Sequence, residues 1–386
     1  MANTVIQDNN KLVRYTKEIN REFVRENMFS PYMGQELNAI IRIRQELKEG
    51  GEQMNIPLVT KLRGKGVGSG TLVGNEEKID NYGMRLWIDW ARHAVVSKKN
   101  ERHKDSADIF GERKPLLSDW GKELQRDELI EAFMALPSET TPAGLGSDDG
   151  DRVNGVRYEA ATAGQRNTWN AANSDRILYG SAVSNYNATH ATALANIDTT
   201  NDKASFAQIT LAKRMAKLAV PAIRPYKTKN GYEYFVAFAG TNAFRDYSND
   251  PTIVSLNKDA RAREGDGMNK NPLFQDGDLI VNGIIIREVP EISQFVSEVW
   301  TSLLTAGNSS ARVEPVFLCG QQAAVLGWGQ MAKPTTRKED DYGFIQGEGI
   351  EMAYGVSKMF KKHPMDGTNL KQWGVVTAFV AAAADA

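Results

Sequence analysis

Residues 56–99 constrain this chain more than any other stretch. They read IPLVTKLRGKGVGSGTLVGNEEK and continue as IDNYGMRLWIDWARHAVVSKK. The glycines at 64, 66, 68, 70 and 74 stand too close together for a helix and favour an open backbone. Lys61, Arg63 and Lys65 sit among them with no acidic residue between. Beyond them Met84, Leu86, Ile88 and Trp90 alternate with Arg85, Trp87, Asp89 and Ala91, the pattern of an extended ribbon with two unlike faces. A basic loop joined to an aromatic ribbon has little core of its own. It must lie over its own protein or over a neighbour.

The rest of the chain is ample for a core. Of its 386 residues 41% are hydrophobic, enough for two or more domains. Lys plus Arg total 47 against 48 Asp plus Glu, a net charge of -1. That balance excludes a bulk nucleic-acid wrapper and leaves room for local basic patches. A single cysteine, Cys319, rules out an internal disulfide framework, and after Val316-Phe317-Leu318 it reads as a buried small hydrophobe. The opening MANTVIQDNN has no signal-peptide character, and no apolar run approaches the ~20 residues that cross a bilayer. A soluble protein of a reducing compartment is expected.

Along the chain, Leu12, Tyr15, Ile19 and Phe23 mark one helical stripe; Leu37, Ile40, Ile41 and Leu47 mark a second that Gly50-Gly51 stops. A long helix is expected over 118–136, with Ser118 as N-cap and Pro137 beyond its end. Its apolar face is interrupted by Asp127 and Glu128. Residues 138–172 hold few large apolar side chains and read as a long surface loop or insertion. Ser205 with Gln208 three residues on suggests a capping box. Strands are expected over 176–180, 232–239, 313–318, 350–360 and 372–381, and a short helix over 321–330. Asn282-Gly283 between β-rich flanks signals a type I′ hairpin. The sum is an α+β chain without internal repeats.

The search for chemistry finds no constellation. Gly64 to Thr71 (GKGVGSGT) only superficially resembles a phosphate loop: Lys65 stands at the wrong end, and another glycine follows where a helix should start. His93, His103, His190 and His363 form no zinc-ligand spacing, Asp148-Asp149 lacks calcium-loop spacing, and Glu339-Asp340-Asp341 follows Arg337-Lys338, so local charge neutralisation explains it as well as a metal does. There is no GxSxG. The patch Lys61, Arg63 and Lys65 suits nucleic-acid phosphates or the acidic surface of a neighbouring subunit, and the net charge favours the second. Trp87 and Trp90 are candidates for a ligand platform or for two-faced packing.

The order of segments adds a resemblance. FSPYMG is followed by IPL, the glycine-rich loop and LVGNEEKIDNYGMRLWIDWARHAV. Then come a long helix, PAIRPYKTKNGYEYFVAFAGTNAFRDYSND, NPLFQDGDLIVNGIIIREVPEI, VEPVFLCGQQAAVLGWGQ, EDDYGFIQGEGIEMAYGVSKMFKK and KQWGVVTAFVAAAA. This series resembles the N-four-like major capsid proteins of tailed bacteriophages from residue 11 to the C-terminus, apart from 138–172. The resemblance implies the Johnson (HK-ninety-seven-type) fold. It assigns 1–51 to an N-terminal arm, 52–99 to an extended E-loop and 100–200 to a P-domain with its spine helix. It places an A-domain at 201–345 and strands returning to the P-domain at 346–386. It implies a structural protein, not an enzyme, that forms hexamers and pentamers of an icosahedral shell around double-stranded DNA. No cofactor, metal or membrane is implied. The other partners it implies are a separate scaffolding protein, a portal, a decoration protein and packaged DNA met through non-specific contacts, in a virion assembled from protein made in the host cytoplasm. Lys61, Arg63, Lys65, Trp87 and Trp90 become the expected inter-subunit contacts. A nucleotide-binding enzyme using the 64–71 loop and an internal DNA-binding virion protein are the alternatives.

Overall fold

The wholly apolar stretches of the sequence become the middle of a mixed sheet. The computed structural model describes residues 25, 27–59, 61–62, 64–79, 81–104, 109–228, 231–256, 274–275, 278–337, 341–362 and 369–385. The expected helical stripe at 12–23, Arg63 and His363 lie outside them. The chain divides into two compact units, one of 1–27, 91–125 and 331–352, the other of 28–90, 126–330 and 353–386.

The elements run β1 Met33–Gly34, β2 Ile41–Arg44, β3 Gln53–Val59, β4 Asn81–Trp87, β5 Asp89–Lys98, α1 Lys99–Lys104 and α2 Arg113–Met134. There follow α3 Ala163–Ala172, β6 Ile177–Tyr179, α4 His190–Ala195, α5 Phe206–Leu218, β7 Tyr226–Lys227, β8 Glu233–Ala239 and α6 Thr241–Asn249. The last are β9 Phe274–Gln275, β10 Asp278–Val281, β11 Ile284–Glu288, α7 Pro290–Glu298, β12 Val313–Cys319, β13 Ala324–Thr336, β14 Ile345–Lys358, β15 Phe360–Lys362, β16 Leu370–Gln372 and β17 Val375–Ala381.

The larger unit is built on the sheet β6-β17-β12-β8-β11-β10-β9, with β7 on β8. β12 and β17 are buried along their whole length because both sheet faces are covered. On one face Ile209, Ala212 and Ala216 of α5 and Ala243 and Tyr247 of α6 pack on Phe235, Ala237, Val316 and Val376. On the other, Phe133 of α2 stacks on Phe317 with ring centroids 5.5 Å apart, and Phe29 meets Phe238 edge-on at 4.7 Å. β17 pairs with β12 from Val375↔Cys319 to Ala381↔Val313, so the C-terminal strand belongs to the same sheet as residues 313–319. Cys319 is buried there, and burial raises its thiol pKa. The Asn282-Gly283 turn has the expected left-handed pair, φ 49 and 68, between β10 and β11.

Three expectations fail for identifiable reasons. Residues 41–44 form β2, parallel to β13, where the apolar spacing of 37–47 points to a helix. Residues 324–336 are a thirteen-residue strand, where the small side chains of QQAAVLGWGQ suggest a helix. Tertiary pairing decides both: each strand supplies the other's ladder, from Ala324↔Ile41 to Gly327↔Arg44. The segment 138–172 is a surface loop only over 138–151, where turns carry mostly exposed or half-buried side chains. Val153, Asn154 and Tyr158 are buried, and 163–172 is a helix whose Thr162 and Gln165 form a capping box. By contrast, the N-cap expected of Ser205 is present, accepting from Gln208 N.

α2 begins at Arg113, five residues before Ser118, so Ser118 is not its cap. Pro115 falls in the first turn, where no intrahelical N–H is needed. In the smaller unit, Trp120 of this helix stacks on His93 at 4.8 Å, and Arg113 donates to Ser97 and pairs with Glu348 at 3.5 Å.

His190 is one of the buried titratable groups of the larger unit. Its Nε2 lies 2.9 Å from the Tyr158 hydroxyl and its Nδ1 2.6 Å from that of Tyr179, which donates to Asn170 Oδ1 at 3.0 Å. A neutral imidazole satisfies this chain of donors. Burial first, and Arg166 second, lower its pKa to about 4. The folded value lies below the unfolded one, so stability is lost as pH falls from about 6.5 towards 4. The loss from this group amounts to about 3 kcal/mol. The acid limb of a thermal-melting curve is therefore expected to flatten in His190→Gln over that window; parallel limbs would contradict it.

Candidate assembly surface

β3 and β4 form a two-stranded antiparallel ribbon in register from Gln53↔Trp87 to Val59↔Asn81. One face is apolar. Met54, Ile56, Met84 and Leu86 are buried with Leu47, Val325, Met359 and Phe360, which seats the ribbon on its own unit. The opposite face, with Asn55, Pro57, Val59, Asn81, Gly83 and Arg85, is exposed.

The ribbon is fixed at its root by polar groups of the segment 144–157. Asn154 accepts from Trp87 N and donates back to Trp87 O, both at 2.9 Å and both buried. Its own N–H donates to Val356 O. Asp89 Oδ2 accepts from Gly146 N and Asp151 N. Arg152 donates to Trp90 O at 2.8 Å and pairs at 2.5 Å with Glu128, which also accepts from the Tyr354 hydroxyl. Burial opposes the charge on Arg152, but Glu128 outweighs it and raises the guanidinium pKa. These partners explain Asp127 and Glu128 where they interrupt the apolar face of the helix. Glu128 points to Arg152 and Tyr354, and Asp127 pairs with Arg126 at 2.9 Å. Glu131 meets Arg157 at 2.9 Å, while its own pKa is raised by burial.

At its far end the ribbon opens into a loop whose described residues are 61–62 and 64–79. Glu77 ties the loop's two limbs by accepting from Gly64 N at 2.6 Å. A turn follows at 71–75, where Asn75 N and Nδ2 donate to Leu72 O and Thr71 O. Around it Val59, Leu62, Leu72, Val73 and Ile79 are all exposed, Val73 by 80%. Such a concentration of bare apolar side chains makes this end of the ribbon the candidate contact surface.

The site residues read from sequence fare unequally. Lys61 and Lys65 are exposed in the loop. Trp90 is 50% exposed, beside an open groove of about 530 Å³ shared with Leu47, Ile88 and Leu145. Trp87 is only 5% exposed, so it packs within its own chain, and the simple two-faced alternation ends there. The apolar loop residues were the missing signal: five large aliphatic side chains in a glycine-rich stretch without periodicity have nowhere local to bury. The loop leads into β4 instead of a helix, and Gly64 N is already bonded to Glu77, so the phosphate-cradle alternative lacks its geometry. Among the described residues no helix is long and apolar enough to cross a membrane.

This architecture is that of phage capsid shells. The capsid chain of cyanophage Pam1 superposes with a TM-score of 0.85 at 35% identity, over 100% of both chains. That of Ralstonia phage GP4 does so at 0.70 and 18% identity, again over 100% of each. The fold is therefore the HK-ninety-seven-type, α+β capsid fold. The major capsid protein of Pseudomonas phage KPP25 is 27% identical over 375 residues, 92% of this chain and 90% of its own length. Residues 3–384 match the phage capsid protein family, and the chain belongs to it. Its role is structural, as a major capsid protein of a bacteriophage shell and a component of the virion.

Proposed function

We propose that the chain assembles as hexamers and pentamers into an icosahedral shell around double-stranded DNA, through the ribbon 53–87 and its loop acting as the E-loop. The observation that carries this reading is the loop's set of exposed apolar side chains on a ribbon whose root is rigidly held. Repeated heterologous contacts of this kind close into a shell by mass action. The spine helix is then α2, and the large sheet contributes the A-domain. Assembly is the whole of the function, without catalysis. A separate scaffolding protein and a portal take part, packaged DNA is met through non-specific contacts, and the subunit is made in the host cytoplasm.

Lys61 and Lys65, with Arg63, steer the loop to an acidic surface on the neighbour, and Trp90 adds apolar area. Lys61→Glu with Lys65→Glu is expected to slow assembly several-fold and to leave the monomer's melting temperature within about 2 °C, since exposed charges add little to folding. Light scattering during assembly reads the first and calorimetry the second. Unchanged kinetics at low salt would remove the cations from the interface. Residual micromolar affinity for magnesium-ATP would instead favour the nucleotide-binding alternative.

A further inference from the structure

We infer that the outer edge of β4, at Asn81, Gly83 and Arg85, accepts an extended strand from a second copy of the chain. The inference rests on the shell reading above and names where the neighbour's backbone joins. Among the described residues β3 and β4 pair only with each other, so each has an edge that no described strand covers.

In an antiparallel pair, residues alternate between exchanging N–H···O bonds with the partner strand and turning those groups outward. Two residues fix the phase. Pro57 has no N–H, so its pairing with Gly83 is of the outward kind. Trp87, four residues further along β4, agrees: its N–H and C=O are both bonded from outside the ladder by Asn154. Asn81, Gly83 and Arg85 share this phase and are exposed. Among the described residues, no partner bonds the outward backbone groups of Gly83 or Arg85. Asn154 thus closes the edge at Trp87 and leaves 81–85 open.

The two edges differ. The outward positions of β3 include Pro57, which removes a donor from the middle of that edge and blocks strand addition. β4 carries no such block. The end of β3 and the loop that follows bear the five exposed aliphatic side chains, so the neighbour that covers them reaches the same ribbon. Main-chain hydrogen bonds to β4 then add affinity and register.

Asn55 and Arg85 stand opposite each other, both in the outward phase. Proline at either position spares the bonds between β3 and β4 and blocks one edge only. Arg85→Pro is expected to fold and to lower the yield of shells, read by sedimentation, at least about tenfold, whereas Asn55→Pro and Arg85→Ala stay within about twofold of wild type. Normal shells from Arg85→Pro, or equal failure of folded Asn55→Pro, would overturn the inference. Hydrogen exchange on the wild-type protein covers the case of an unfolded variant. The Gly83 and Arg85 amides are expected to gain at least about tenfold protection on assembly. Unchanged exchange would overturn the inference, and so would protection that arises only when another virion protein is added to finished shells. Wild-type protein that forms no assembly overturns the shell reading itself, before any variant is compared.

Discussion

Leu72→Asp together with Val73→Asp is expected to abolish shell formation and to leave a folded monomer. Both side chains are exposed, by 67% and 80%, so neither supports the packing of its own chain. Polar substitution at such positions changes folding stability by only about 0.5 kcal/mol. Covered by a neighbour, the same positions would each bury a carboxylate without a partner, at a cost of several kcal/mol. Every subunit repeats the defect, and a closed lattice multiplies it. Sedimentation velocity is expected to show monomers or small oligomers where wild type gives shells, with circular dichroism and melting temperature unchanged. Normal shells would take the loop tip out of the interface.

Gly355→Ala acts at the other end of the same ribbon and has the largest expected effect on folding. A Cβ at this glycine would sit 1.9 Å from Trp87 O, a backbone atom that is itself bonded to Asn154 Nδ2. Neither strand yields easily. Trp87 is clamped through both backbone groups, and Gly355 lies in the buried C-terminal half of β14. Overpacking costs about 1–3 kcal/mol and a broken buried hydrogen bond a similar amount. A combined loss of about 3–5 kcal/mol in urea denaturation is expected, or failure to accumulate as soluble protein. Asn154→Leu, which removes the clamp without the clash, is expected to cost about 2–3 kcal/mol. A wild-type denaturation midpoint for Gly355→Ala would contradict the account of the ribbon's root.

Much of this was legible in the residues. The hairpin at Asn282-Gly283, the strands over 233–239 and 313–319 and the Ser205 cap rest on local chemistry, and local chemistry survives folding. The glycine and charge pattern of 56–99 located the ribbon and its loop. What escaped was set by distant partners. The strand at 324–336 exists because 41–44 lies beside it, and no spacing within either announces the other. Trp87 is buried because Asn154 and Gly355 close over it from far along the chain. The polar segment 144–157 reads as loop or insertion because its contribution is made by Asn154 and Arg152 to backbone groups of Trp87 and Trp90, which carry no sequence signature. The cations of the loop drew attention by their charge, while its aliphatic side chains showed as a site only once the fold left them bare.

The most direct test is a single-particle reconstruction of the assembled protein, at a resolution that traces residues 60–80 in each subunit. The account predicts closed shells of hexamers and pentamers in which this loop lies on a different copy, with Leu72 and Val73 covered by it. Shells in which the loop folds back on its own subunit and leaves those side chains in solvent would contradict it.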